Sequence, residues 1–522
     1  MIVFEDESRK TRGMKSVKNQ LKAGILLSYI SNGINIVIQV AYMPIMIRLL
    51  GQNEYGLYTL VSGVVSYLSL FSLGFTGAYL YFFSRFNQKK DREGLAALNG
   101  MFLALFLILA LAALICGLTL SCFPKQVFGS KLSSAELHEA RILMIILVIN
   151  IAISLINSIF DSIVSAYEQF IFQRMVSLLA VIINPFICLP LLLMGHGNIM
   201  IVIVSLGITI GKLCINFWFC ARKLKIPISF HNFQFSLVKE LGFFSFFLFL
   251  NMIIDQINWN VDKLILSHTK GIKEVAVYGV ASQINTLFIT FSITISSVFS
   301  PRINRIAVDD NVDYRQEYTV LMAKIGRMQW LVLGLLSIGF IVFGKYFIIK
   351  IYAGNGYEEA YTVSLYLVMP ALISLIQNAG IEIQRALNMH QFRSIIYIVM
   401  AGFNVFISIP LAEKLGAVGT AMGTAISLIV ANGVIMNVFY HKVLKINMIF
   451  FWKQIGKTLK GFLIPVIVGA LIMRYIAFNH LAQYILWIVV FVVIYCLSIY
   501  CFSCNKAERE IVLSLIVRKR NE

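Results

Sequence analysis

The chain has 522 residues, of which 59% are hydrophobic and 13% charged, with a formal net charge of +19. A soluble domain holds roughly 45–50% apolar and about 25% charged residues, so this composition excludes a soluble globule. Its apolar runs reach the roughly 20 residues of a spanning helix, so the expected fold is all-α, a polytopic integral membrane protein.

The N-terminal tail, 1–22, is basic ("RKTRGMKSVKNQLK") and shows no short apolar core followed by a small-residue cleavage site. The first helix is therefore expected to serve as its own insertion signal. About fourteen transmembrane helices follow, near 23–47, 56–83, 95–121, 142–167, 171–194, 199–221, 241–266, 275–300, 328–351, 362–387, 392–412, 416–440, 461–479 and 482–503. Two short segments, "IPISFHNFQFSLVKE" (226–240) and "INMIFFWKQIGKTLKG" (446–461), mix aromatics with lysine and read as helices lying on a leaflet surface. With the N-terminus inside, 32 of the 44 Lys and Arg fall on the cytoplasmic side and 9 on the outer side, while Lys212, Lys263 and Lys345 lie within spans. Such a bias places both termini in the cytoplasm. It also accounts for the net charge through apposition to anionic lipid, so no nucleic-acid partner is expected.

The sequence meets itself at an offset of 220. "NPFICLPL" (184–191) falls on "NVFISIPL" (404–411), "SLI" 154–156 on 374–376, and "LKI" 224–226 on 444–446. Gly51, Glu54, Tyr58 and Ser62 meet Gly271, Glu274, Tyr278 and Ser282 in the same register. Six spans per repeat is an even number, which implies two six-helix bundles in parallel orientation. The expected organisation is a bundle at 23–226, a linker at 227–240, a second bundle at 241–446, a linker at 447–460, two additional helices at 461–503 and a tail at 504–522.

Several spans carry polar groups at helical spacing. The seventh has Asn251, Asp255, Asn258 and Asp262, with Phe, Leu, Ile and Met expected on its other faces. The first, its repeat partner, has Ser28, Asn32, Asn35, Gln39 and Tyr42. The fourth has Asn150, Ser154, Asn157, Asp161 and Glu168, and the tenth Ser374, Asn378, Glu382 and Arg385. Tyr58, Ser62, Ser66 and Ser69 in the second match Tyr278, Ser282 and Asn285 in the eighth. An acid at the bilayer centre costs roughly 2.5–3.5 kcal/mol on the insertion scale, so these stripes should face one another or water. For an isolated serine the alternative is interhelical hydrogen bonding as glue.

Asp255, nearest mid-membrane, is a candidate contact for an ion or cargo. Lys263 follows Asp262 directly and lies on another face, with snorkelling to the outer interface as its alternative. Glu382 and Arg385, three apart, can pair with each other. Lys212 is central in the sixth span, and its repeat equivalent is Asn432. Tyr42, Trp259 and Tyr278 are candidates for stacking on sugar rings, with ordinary packing as the alternative. The eight cysteines show one Cys-x-x-Cys, Cys501 and Cys504, with no second pair or histidine cluster to complete a zinc set. No Walker, dinucleotide, zinc-protease or serine-elbow motif appears. No cofactor, metal site or catalytic residue is expected.

The stretch "MPIMIRLLGQNEYGLYTLVSGVVSYLSLFSLGF" (43–75) and its echo "VDKLILSHTKGIKEVAVYGVASQINTLF" (261–288) resemble the polysaccharide flippases of the multidrug/oligosaccharidyl-lipid/polysaccharide exporter superfamily, the O-antigen and capsule repeat-unit translocases. The resemblance covers roughly 23–446, and Gly-x-x-Glu-Tyr-Gly-x-Tyr at 51–58 is its most specific part. It implies a V-shaped pair of six-helix bundles in the bacterial cytoplasmic membrane, opening alternately to either side. The implied cargo is an undecaprenyl-pyrophosphate-linked oligosaccharide, moved from the inner to the outer leaflet, with a polymerase and glycosyltransferases as pathway partners. Spans thirteen and fourteen would form a groove for the lipid tail. Lys212, Lys263 and Arg385 are the candidate pyrophosphate contacts, and the acids of the stripes depart from a cation-lined cavity. The rival readings are a cation-coupled multidrug exporter of the same superfamily and a non-transporting scaffold of a glycan-synthesis complex.

Overall fold

The computed structural model describes residues 2–73, 75–89, 91–230, 249, 252–253, 256–257, 259–309, 313–387, 389, 391–505 and 508–510; side chains are described at 27, 30, 31 and from 33 onward, Thr76 apart. Every regular element among the described residues is helical. By contact the chain divides into two compact units, Met1–Ala276 and Val277–Glu522.

The first unit holds α1 (Ile2–Ser66), a 3-10 turn (Tyr67–Ser72), α2 (Phe75–Gln88), α3 (Arg92–Ser121), the short α4 (Pro124–Phe128), α5 (Ser134–Ala166), α6 (Phe170–Leu193) and α7 (Asn198–Trp218), which runs on as a π turn (Phe219–Lys223). It ends with α8 (259–269) and the first residues of α9 (Ile272–Ser297). Its core packs α5 between α3 and α7, with α6 against α1. Tyr79, Phe82, Phe102, Phe106, Phe160 and Ile163 interlock α2, α3 and α5. Between membrane helices, close packing of this kind supplies the attraction, because lipid is as apolar as the side chains.

The second unit continues with α10 (Ser300–Ala307), α11 (Tyr314–Tyr346), a π turn (Phe347–Tyr352), α12 (Glu358–Leu375), α13 (Ala379–Ala386) and α14 (Gln391–Leu428). A π segment (Ile429–Ile435), α15 (Met436–Lys442), α16 (Met448–Gly456), α17 (Leu459–Tyr475) and α18 (Leu481–Phe502) complete it. The two C-terminal helices seat on α11 through Phe343, Tyr484 and Phe491, and through Phe462 and Tyr495 against Gly334. Arg327, only 7% exposed, fastens them further. It makes a bidentate pair with Glu508 at 3.0 and 2.9 Å, and donates to the carbonyls of Gln454 and Ser503, both at 3.0 Å.

Nine helices among the described residues are long and apolar enough to span, or eleven if each of two bent pairs counts as one span. The expected fourteen is not reached on this count, for two reasons. Gly33–Gln88 and Gln391–Lys442 are continuous runs of 56 and 52 residues. At 1.5 Å per residue each would measure about 80 Å, far beyond a hydrocarbon core of roughly 30 Å. Each covers two predicted spans and leaves helical geometry at a glycine, Gly51 (φ 72°) and Gly416 (φ 60°). The seventh predicted span, 241–266, lies largely outside the described residues.

The backbone repeats at the offset the sequence shows. Gly51 and Gly271 both have positive φ, and so do Lys225 and Lys445, although a side chain there is disfavoured. Around those lysines the closing bonds coincide: Leu224 and Leu444 donate to Phe219 and Phe439, Ile226 and Ile446 to Cys220 and Tyr440. Beyond each, the chain turns onto a glycine of the bundle. Ser229 lies on Gly100, and Phe451 on Gly326. The segment 226–230 is therefore an extended piece pinned to α3, by Ser229 N–H on Ala96 and Asn99 on the Pro227 carbonyl, rather than a surface helix; 231–240 lies outside the described residues. At 446–461 the expected helix forms as α16.

Candidate functional site

The polar stripe of the fourth span becomes a network in the first unit. α5 starts from a capping box, Ser133 with Glu136, and carries Asn150, Asn157 and Asp161 towards α7. α7 answers with Ser205, Lys212 and Asn216, seven and four residues apart and so on one face. Lys212 Nζ lies 2.9 Å from Asp161 Oδ2, which also accepts from Asn157 Nδ2 at 3.0 Å. Asn216 Nδ2 donates to Asp161 Oδ1 at 2.8 Å and to Asn157 Oδ1 at 2.9 Å. Asn150 reaches Ser205 at 3.3 Å. The two asparagines are buried, but the Lys212 and Asp161 side chains keep 25% and 24% exposure, so the ion pair is open on one side. The Oδ1 of Asn216 has no partner among the described residues.

A second network joins the second span to the seventh, at Gln256 and along α8. Ser66 Oγ donates to Gln256 Oε1 at 2.8 Å and accepts from Asn260 Nδ2 at 2.9 Å; Gln256 Nε2 reaches Ser69 at 3.3 Å. Lys263 Nζ lies 3.5 Å from Asn260 Oδ1, beside Gly63. This corrects the expectation that the seventh span is polar on one face alone. Gln256, Asn260 and Lys263, at spacings of four and three, make a second polar face, and its serine partners act as interhelical glue.

In the second unit the tenth-span stripe does not hold together. The span breaks into α12 and α13 with a 45° bend, so Ser374 and Asn378 are separated in direction from Glu382 and Arg385. Glu382 and Arg385 pair with each other at 2.9 Å, with Arg385 66% exposed. At the break the Leu375 carbonyl accepts from Ser292 Oγ at 2.7 Å, Gln329 donates to Ser292, and Asn378 to Ser296.

The other expected residues fall as follows. Asn35 and Gln39 are half-buried on α1. Asp262 is buried, and Asn251, Asp255 and Asn258 lie outside the described residues. Tyr42 and Tyr278 are buried, which leaves Trp259 as the exposed aromatic of the three. Asn216, Gln256, Asn260 and Arg327 were not singled out by the sequence. Asn216 had a signal, four residues beyond Lys212, whereas Arg327 stood at a span edge and read as an ordinary loop charge.

The 51–58 motif is structural in this unit. Gly51 turns the chain; Glu54 accepts from the Asn198 N–H at 3.1 Å, at the start of α7, and its own carbonyl accepts from Asn198 Nδ2 at 3.2 Å. Tyr55 is buried, and a Cβ on Gly56 would stand 2.5 Å from the Ile272 carbonyl oxygen. Among the described residues no cluster of three His, Cys, Asp or Glu is placed to hold a metal.

The sequence matches the family model described as "Polysaccharide biosynthesis protein" over residues 21–307, more than half of the chain. No curated protein matches it. Among solved structures, the lipid II flippase MurJ in an inward closed conformation is similar with a TM-score of 0.68 at 17% identity, over 94% of this chain and 99% of that one. A multidrug-resistance MATE transporter of the MOP superfamily, inward-facing, gives 0.59 at 16% identity, over 76% and 96%. A MATE in the straight conformation gives 0.55 at 18%, over 80% and 94%. The chain belongs to the polysaccharide biosynthesis protein family, with the polytopic helical fold of the MOP-superfamily flippases and transporters.

Proposed function

We propose that this protein is a flippase carrying an undecaprenyl-pyrophosphate-linked oligosaccharide from the inner to the outer leaflet of the bacterial cytoplasmic membrane, by alternating access, with both termini cytoplasmic. The family supports cell-surface polysaccharide synthesis as the setting, and a polymerase and glycosyltransferases would act on either side of the step. The observation that carries the reading is the half-open ion pair Lys212–Asp161, backed by buried asparagines inside a helical bundle. A sugar-diphosphate head cannot enter hydrocarbon without a large desolvation cost, and a hydrated polar face with an exchangeable ammonium lowers it. Lys212 would turn from Asp161 to the diphosphate, with Lys263 and Arg385 as further cationic contacts.

The test is complementation of a strain lacking its own flippase. Asp161→Ala, Asp255→Ala and Arg385→Ala are each expected to lower polysaccharide export at normal membrane abundance; full export by all three would overturn the reading. The fold it shares with MATE transporters favours one second reading, a cation-coupled drug exporter. Raised resistance in a pump-deficient host, with no effect on polysaccharide, would select that one.

A further inference from the structure

Two hydrogen-bond donors at one end of the second unit have no acceptor. Arg393, in the first turn of α14, is half-buried with its guanidinium 4.7 Å from the centre of the Tyr397 ring, and makes no ion pair or hydrogen bond among the described residues. The Tyr397 hydroxyl donates to Asn432 Oδ1 at 2.6 Å. Asn432 is only 5% exposed, and its Nδ2 has no acceptor among the described residues. A buried N–H without a partner is a standing cost inside a membrane bundle. Asn432 also lies in a π segment, Ile429–Ile435, a wide turn that is rare and concentrates at functional sites. Asn437 holds that turn, donating from Nδ2 to the Asn432 and Gly433 carbonyls at 2.6 and 3.2 Å, and Trp452 Nε1 of α16 fixes Asn437 Oδ1 at 2.7 Å. In the first unit the same two repeat positions serve an anion. Lys212, which matches Asn432, donates to the Asp161 carboxylate at 2.9 Å, and Gln173, which matches Arg393, to the Asp161 carbonyl at 3.3 Å. The second unit has Ile381 in place of Asp161, so the acid that answers these donors in one half is missing from the other.

We propose that Arg393 and Asn432, set around Tyr397, bind a phosphate group from outside the chain, which takes the part that Asp161 plays in the first unit. The planar guanidinium offers two parallel N–H bonds to phosphate oxygens, and the Asn432 amide a third. Tyr397 keeps the guanidinium in plane by stacking and orients the amide through its hydroxyl. The surroundings favour the headgroup of an anionic phospholipid over phosphate in solution. Phe392, Ile395, Val399, Phe403 and Phe406, three or four apart, form an exposed apolar stripe down α14 that starts beside Arg393 and suits an acyl chain. Trp452, exposed at the same end, is a residue of the headgroup level. None of this needs the flippase reading, since a resident lipid binds whether or not cargo moves.

The full-length protein is placed in nanodiscs of phosphatidylcholine doped with phosphatidylglycerol of the same chains, and native mass spectrometry reads which lipid it retains. The parent is expected to keep a phosphatidylglycerol in preference to phosphatidylcholine. Arg393→Ala should lower that preference about tenfold, the loss of a charge-assisted bidentate contact, and Arg393→Lys by less, because it keeps the charge without the fork. Asn432→Asp hands Arg393 an internal carboxylate and should abolish the preference, whereas Lys453→Ala, an exposed charge on α16, should leave it unchanged. If Arg393→Ala cannot be purified folded, Asn432→Asp, which retains an acceptor for the Tyr397 hydroxyl, gives the same reading. A second arm follows the thermal midpoint in pure phosphatidylcholine with inorganic phosphate against chloride at equal ionic strength. A midpoint raised by phosphate in the parent and not in Asn432→Asp, without lipid preference, keeps the site and assigns it to phosphate in solution. Retention that is equal in the parent, Arg393→Ala and Asn432→Asp overturns the proposal, and so does a parent that responds in neither arm.

Discussion

α5 and the α12–α13 pair occupy equivalent places in the repeat, Ala166 falling on Ala386, yet they solve the same problem differently. α5 runs unbroken through 33 residues and holds its polar centre as a charged network with α7. Its counterpart has Pro370 where α5 has Asn150, breaks at Ile376–Asn378, and bonds the break to Ser292 and Ser296 with neutral groups. Asp161 becomes Ile381, Lys212 becomes Asn432 and Asn216 becomes Met436. A bundle interior can thus keep polar groups either by ionic pairing along an intact helix or by letting serine hydroxyls complete an interrupted one. The first arrangement leaves an exchangeable charge; the second leaves a bend. At this level of the repeat the two halves therefore differ in kind, an ion pair in one and a bend in the other.

Copying one half into the other tests this most severely. Asp161→Ile leaves the Lys212 ammonium without its counter-charge and should cost about 3 kcal/mol in unfolding free energy. Asp161→Ile with Lys212→Asn reproduces the residues of the second unit, and should recover to within about 1 kcal/mol while export stays lost, because replacing a whole pair by neutral groups is often nearly free. Denaturant or thermal unfolding in detergent, paired with the export assay, reads both. If the double variant stays as unstable as the single one, the charges are not the essential difference between the halves.

Gly56 falls on Ala276 in the repeat and also touches it, a Cβ there standing 3.2 Å from the Ala276 methyl. Gly56→Ala makes the two positions alike, but the neighbour at 2.5 Å is the Ile272 backbone carbonyl, which cannot step aside as a side chain can. The expected cost is about 2 kcal/mol. Gly33→Ala, with nothing within 4 Å, is its control and should be neutral or slightly stabilising. Ser292→Ala strips the buried Leu375 carbonyl of its hydroxyl partner and should cost about 1–2 kcal/mol. Spin labels flanking 376–378 should at the same time report a changed bend, whereas Ser158→Ala at the matching level of α5 leaves that helix straight.

How far the sequence could be read divides along the same line. Apolar runs and the 220-residue offset are local or periodic quantities: the first mark the helical membrane class, and the second pairs Lys225 with Lys445 and Gly51 with Gly271, whose backbone conformations do repeat. The break at Ile376–Asn378 depends on a serine 83 residues away taking a carbonyl, and periodicity alone cannot show that. The partner of Lys212 lies 51 residues distant, on a helix whose stripe was visible but whose direction was not. Gln256 and Asn260 were hidden by the stronger acidic stripe beside them. Arg327 was hidden by its position at the end of a span, where a cation is expected on topological grounds and its burial leaves no trace in the sequence.

The staple at Arg327 gives the smallest effect and concerns what the second unit has and the first lacks, the docked pair α17 and α18. Burial alone would raise the Glu508 carboxyl. The bonds from Arg327 and the Asn505 N–H, with the charges of Arg327 and Lys324, outweigh it and hold the group below the ordinary glutamate value. A carboxyl depressed in the folded state contributes its stability in full above the unfolded value, and loses it as pH falls through the folded one. Protease cleavage around 503–510 should therefore be flat at neutral pH and rise only below the usual range for glutamate. Glu508→Gln should cleave faster at pH 7 and show no acid dependence. The change stays small because Arg327 keeps the Gln454 and Ser503 carbonyls when Glu508 is neutral, and Phe343, Tyr484 and Phe491 keep the helices seated. An acid dependence unaltered in Glu508→Gln would place the sensitivity elsewhere and leave the staple without its carboxylate arm.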